Sequence, residues 1–167
     1  MKTATKILIP TDFSAFSLAA LEYVKSQAMM DAATLYLLHV VNDPILVAPY
    51  PNVDLNAETI LRDTVERAKQ EMERFVRKYV GDKRRVVPAV RRGEASREIN
   101  AFAVDEKMDL IVIATHGRTG LAHMILGSVA ERVIRYSHVP VLTIKPEEVL
   151  SAMLRQDVDS EVHQEME

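Results

Sequence analysis

The chain has 167 residues, 48% of them hydrophobic, with no cysteine and a formal charge of -3. That length holds one domain with a substantial core, and the composition excludes disordered and membrane-spanning classes. Disulfides, thiolate nucleophiles and cysteine-based zinc sites are excluded with the missing cysteines.

Taken in chain order, Ile7-Leu8-Ile9 is a short apolar run closed by Pro10-Thr11-Asp12-Phe13-Ser14. It reads as a buried strand, a turn and a helix start, with Ser14 or Asp12 able to accept from the first unpaired amides. Leu18, Leu21, Val24 and Ala28 recur at helical spacing. Leu35 to Val41 is a second strand, apolar on both faces. Pro44, Pro49 and Pro51 make residues 42–54 a long loop. From Ala57 to Val80, Leu61, Val65, Ala68, Met72, Phe75 and Tyr79 step by four and three, and Gly81-Asp82 ends that helix. Val86 to Val90 is a strand with Pro88 inside it, which suits a sheet edge. A helix is expected over about Ala95 to Lys107, then a fully apolar strand from Leu110 to Ala114. A glycine-bearing loop leads to a helix over about Gly127 to Tyr136, and Val139 to Ile144 is the last strand, again with a proline.

Strands and helices alternate throughout, and apolar strands separated by helices call for a parallel sheet covered on both faces. The proline-bearing third and fifth strands belong at its edges. The expected fold is α/β: a doubly wound five-stranded parallel sheet in the order 3-2-1-4-5. Its winding reverses between strands 1 and 4, where open α/β sheets bind ligands beyond the carboxyl ends. The segments Pro10-Thr11-Asp12-Phe13-Ser14 and Ala114-Thr115-His116-Gly117-Arg118-Thr119-Gly120 line that crevice.

The chain has five glycines, and Gly117, Gly120 and Gly127 fall within eleven positions. Gly127-Ser128 opens the last helix, whose unpaired amides and positive dipole end attract an anion, phosphate above all. Arg118 and His116 can add charge or donors. The same residues also fit a plainer role, with Gly120 and Gly127 as turn glycines and Ser128 as a helix cap. Asp12 can accept from ribose hydroxyls or an exocyclic amine, or can cap the first helix. His39 reads as a core histidine with its hydrogen bonds satisfied, and Val40 beside it as an apolar floor for a base.

These segments resemble the universal stress proteins: Ile7 to Ser14, Leu38-His39-Val40, Thr115 to Gly120, Leu126-Gly127-Ser128-Val129-Ala130-Glu131 and Val139 to Lys145. The likeness runs from about Lys6 to Lys145. The ATP-binding pattern of that family is glycine, two residues, glycine, nine residues, then glycine with serine or threonine. Gly117 and Gly127-Ser128 match its second and third elements; Ala114 stands where the first glycine belongs. The resemblance implies an ATP site, with Mg2+ expected on the phosphates. It implies that Asp12 and Val40 contact the adenosine part, while Gly117, Gly127, Ser128 and Val129 contact phosphate. Pro10, Thr11, Ala114, His116 and Arg118 complete the candidate set. It also implies a homodimer through the last strand, Val139 to Ile144, whose open edge otherwise exposes backbone groups.

Residues 1–145 thus form the expected nucleotide-binding domain and 146–167 an extension with seven acids and one base, Arg155. The remaining body is only weakly basic, and Lys83-Arg84-Arg85 with Arg91-Arg92 lacks interleaved aromatics, so no nucleic-acid partner is expected. No apolar run approaches the roughly 18–20 residues of a membrane helix. The first apolar stretch stops at Pro10, too early for a signal peptide, so the expected location is cytoplasmic and no membrane partner is expected. A phospho-acceptor receiver domain fails on chemistry, because the acidic pair and the acceptor aspartate are missing. A phosphate-binding loop ending in Gly-Lys-Ser/Thr and the Gly-x-Ser-x-Gly elbow are both absent, and no catalytic or metal-binding residue is assigned. The reading that emerges is an ATP-binding stress-response module; a slow ATPase of the same fold and a nucleotide-free dimeric interaction module are the alternatives.

Overall fold

The computed structural model describes residues 5–27, 33–42, 55–81, 85–115 and 126–145. Along them run β1 (Lys6–Pro10), α1 (Ala15–Ser26), β2 (Thr34–Asn42), α2 (Leu55–Tyr79), β3 (Val86–Gly93), α3 (Ala95–Asp105), β4 (Leu110–Ala114), α4 (Ser128–Tyr136) and β5 (Val141–Ile144). Of the loop expected over 42–54, Asn42 instead ends β2, and the rest lies outside the described residues with the basic turn around Lys83 and Arg84, the glycine loop over 116–125 and the acidic extension.

The five strands form one parallel sheet in the order β3-β2-β1-β4-β5. Side chains alternate across each strand, so a continuous apolar run serves two cores at once. Ile7, Ile9, Leu35, Leu37 and Val112 point to one face and pack with Leu21 and Val24 of α1 and Met72 and Phe75 of α2. Leu8, Leu38, Ile111 and Ile113 point to the other and pack with Ile99 and Phe102 of α3 and Ala130 and Val133 of α4. Ile7, Leu8 and Ile9 are fully buried, which explains why β1, at the centre, has no polar position between Lys6 and Thr11. Pro88 sits in β3 at one edge, where a missing amide costs no ladder bond on the open side.

Element ends depart from the sequence expectation where pairing or capping overrides apolar pattern. β3 runs on through Arg91, Arg92 and Gly93 because these pair with Val40, Val41 and Asn42, and an edge strand tolerates polar residues. α3 stops at Asp105 rather than at Lys107. Lys107 takes φ 54, and the Met108 amide reaches back to the Ala103 carbonyl at 2.8 Å. Gly81, at φ 70, closes α2 as its position after Tyr79 and Val80 suggests. Among the described residues no helix is long and apolar enough to cross a membrane.

Candidate functional site

Past the carboxyl ends of β1 and β4, where the sheet changes its winding, a cavity of about 440 Å3 opens. Its size falls in the roughly 300–1,000 Å3 range of small-molecule sites. Pro10, Thr11 and Asp12 line it from the end of β1, and Val40 from β2. Ala114 contributes from the end of β4, and Gly127, Ser128 and Val129 from the start of α4. His116, Gly117 and Arg118 lie outside the described residues.

The β1 wall is built by short polar side chains that bond to nearby backbone. The Thr11 amide donates to the Leu38 carbonyl at 2.8 Å, and the Thr11 and Ser17 hydroxyls meet at 3.0 Å. Asp12 accepts from the amide and hydroxyl of Ser14 through Oδ1. Ser14 in turn caps α1 by accepting from the Ser17 amide at 3.1 Å. Of the two capping candidates, Ser14 therefore holds the helix, and Asp12 braces the turn before it while facing the cavity.

The opposite wall is mostly backbone. The Thr115 amide bonds the Ile144 carbonyl at 2.9 Å, and the Gly127 amide bonds the Thr115 carbonyl at 2.7 Å, which pins the start of α4 to the end of β4. Gly127, not Ser128, is the capping residue, and among the described residues no side chain caps this helix. Ser128 is its first helical residue and is exposed at the cavity. The first helical bond is that of the Glu131 amide to the Gly127 carbonyl, so the amides of Ser128, Val129 and Ala130 precede it. Those three residues line the cavity, and the positive end of the helix dipole lies with them. Among the described lining residues Asp12 is the only charged side chain. An anion there is met by amides and dipole on one side, and a donor by the carboxylate on the other.

Ala114 is 7% exposed and its φ is not positive, so its methyl group adds no backbone strain; it forms part of the wall. The far side is closed by Ala95 and Ile99 of α3. Glu94 starts that helix, accepting from the amides of Ser96 and Arg97 at 3.2 Å each. Partial burial pushes its carboxyl upward, but the Ser96 hydroxyl, the two amides and the Arg132 guanidinium outweigh this and hold it below the ordinary glutamate value. Among the described residues no group of three His, Cys, Asp or Glu side chains is arranged to hold a metal ion.

Three polar lining residues were not nominated for the site by sequence: Ser17, His39 and Asn42. His39 is no core residue; it is half-buried and lines the cavity, though its hydrogen bond is satisfied, Nδ1 lying 2.8 Å from the Thr11 carbonyl oxygen. Asn42 lies at the outer end of β2 on the same cavity. The available signal was register: Leu38 pairs with Pro10, the last residue of β1, so whatever follows Leu38 stands beyond the sheet's central strand.

Residues 3–145 match the universal stress protein family. Among curated relatives, universal stress protein MJ0531 of Methanocaldococcus jannaschii is 38% identical over 144 residues, covering 84% of this chain and 81% of that protein. Universal stress protein MJ0577 of the same organism is 35% identical over 154 residues, covering 84% and 94%. The solved structure of MJ0577 superimposes with a TM-score of 0.75 at 33% identity, over 86% of this chain and 97% of the other. A universal stress protein solved in complex with cAMP shares the fold, with a TM-score of 0.53 at 22% identity over 87% and 99%. Family match, curated relatives and strand order agree over the whole sheet, and the chain belongs to the universal stress protein family.

Proposed function

We propose that this chain binds ATP, carried with Mg2+ on its phosphates, and works as a nucleotide-dependent regulatory module in stress adaptation. The observation that carries the reading is the pairing of walls across one cavity: Asp12 faces it from β1, and the amino end of α4 faces it with no capping side chain among the described residues. In this reading Asp12 and Val40 meet the adenosine part, with Pro10 and Thr11 behind them. Gly127, Ser128 and Val129 meet the phosphates, joined by Gly117 of the family pattern and flanked by His116 and Arg118. Amide donors at a helix start suit polyphosphate because their charge is spread and fixed before the ligand arrives. Mg2+ keeps most of its ligands from phosphate and water in such sites, so no cluster of carboxylates is required of the protein.

The proposed assembly is a homodimer joined through the residues from Val139 to Ile144, in the cytoplasm, with residues 146–167 as an acidic extension of the nucleotide-binding domain. No residue is assigned to catalysis. Native mass spectrometry of the purified protein tests ligand and assembly together: a dimer mass carrying adenine nucleotide is expected. Protein that arrives without nucleotide and gives no heat on titration with Mg-ATP would leave an interaction module in place of a nucleotide-binding one.

A further inference from the structure

The turn that carries Asp12 contains a backbone anomaly. Phe13 lies at φ 64, in the left-handed region that bulky L residues rarely occupy. A conformation of that kind persists only when its surroundings over-determine it. Four contacts hold the turn here. The Phe13 amide donates to the Thr11 hydroxyl at 3.0 Å. The Phe13 ring stacks on the His39 ring, centroids 4.3 Å apart at 28°, and leans against Phe75 at 5.8 Å. His39 Nδ1 lies 2.8 Å from the Thr11 carbonyl oxygen, and since a carbonyl only accepts, Nδ1 carries the proton and donates it. His39 thus grips the turn on both sides of Asp12, by a hydrogen bond to the residue before it and a ring contact to the residue after it.

We propose that His39 is a positioning residue for the nucleotide site: it holds the left-handed Thr11–Phe13 turn and thereby sets the direction of the Asp12 carboxylate. The inference rests on the nucleotide reading for its consequence, but the turn itself can be examined without ligand. The donor is the essential half. An asparagine at this position can place an amide N–H near where Nδ1 sits and keep the bond to Thr11 while losing the ring. His39→Ala loses both.

Two measurements on the full chain separate the possibilities. In the ligand-free protein, exchange of the Phe13 amide hydrogen is expected to speed up about tenfold in His39→Ala and to return to within about threefold of wild type in His39→Asn, about the effect of one hydrogen bond. Titration with Mg-ATP is expected to show affinity falling by a similar factor in His39→Ala, with recovery in His39→Asn. Unchanged Phe13 exchange in His39→Ala overturns the inference whatever ATP does. Faster exchange with unchanged affinity overturns it as well, because His39 then braces the turn without serving the site. Wild-type protein that binds no ATP brings down the nucleotide reading and the positioning role that depends on it, while exchange alone still decides whether His39 holds the turn.

Discussion

Asp12 and Gly127 face the same cavity from opposite walls, and they fail in different ways when changed. Asp12→Ala removes the carboxylate from the β1 wall and also frees the Ser14 amide and hydroxyl that it accepts from. Ser14 still caps α1, so the expected result is a loss of about tenfold or more in ATP affinity, the size of a charge-assisted hydrogen bond, with only a small stability loss. Titration calorimetry beside a thermal melt reads both. Gly127→Val acts through volume. Gly127 has φ -69 and ψ 147, extended backbone open to any residue, and its amide keeps the bond to the Thr115 carbonyl. The fold should survive, with the melting temperature within about 4 °C of wild type, about the effect of 1 kcal/mol at this chain length. The isopropyl group stands where phosphate would approach the amides, so ATP binding should be abolished; unchanged affinity would remove the phosphate assignment. The place of Asp12 on the cavity was legible because it follows the strand at which the sheet reverses its winding, although residue type left ligand and cap as equal roles for it. His39 was not. Residue type says that a histidine in an apolar strand is usually buried, and only pairing shows that β1 ends opposite Leu38 and leaves His39 beyond it.

At the level of elements, alternation of apolar strands with amphipathic helices carried the topology, and Pro88 inside β3 and Pro140 just before β5 marked the two edges, although β5 starts at Val141 and not at Val139 as expected. Boundaries were less legible, because they are set by caps and pairing rather than by periodicity. The clearest case is the carboxyl end of α3, at Asp105 rather than Lys107; its start at Ala95 is where the sequence put it, behind an unusual cap. Glu94 is a glutamate where shorter side chains are the usual caps, yet it accepts from two amides and from the Ser96 hydroxyl. Glu94→Ala should therefore destabilise the protein by about 1 kcal/mol near neutral pH, the ordinary worth of a cap. The pH dependence has a definite sign. Its carboxyl is held below its ordinary value in the folded chain, so folding favours the ionised form. The contribution is complete above the ordinary glutamate value and is lost as pH falls below it. Wild type and Glu94→Ala should accordingly converge in stability under acid and separate at neutral pH, as chemical denaturation at several pH values would show. A difference that grows on acidification would assign Glu94 another role.

For the whole molecule, the two edges of the sheet are unequal. β3 is long, carries Pro88, and pairs with β2 over eight residues. β5 is four residues long and, among the described residues, pairs only with β4. The Ile111 amide bonds the Pro140 carbonyl and the Thr115 amide bonds the Ile144 carbonyl, both at 2.9 Å. In a parallel ladder this turns the backbone groups of residues 140, 142 and 144 toward β4 and those of Val141 and Thr143 toward the open edge. Thr143 is exposed there. An open edge of this kind is a template for another strand, and a second copy of the same chain satisfies it by a closed two-fold contact. Thr143→Pro tests the proposed dimer with little disturbance inside the subunit. It removes the outward-facing amide and leaves the bonds to β4 in place, as proline is tolerated at sheet edges. Sedimentation equilibrium should show the wild-type chain at twice its monomer mass and Thr143→Pro shifted toward monomer at the same concentration. ATP affinity should stay unchanged, because the cavity is lined from β1, β2, β4, α3 and α4 and not from β5. A variant that remains fully dimeric would move the interface away from this edge, and one that loses ATP along with the dimer would show that the site needs both copies.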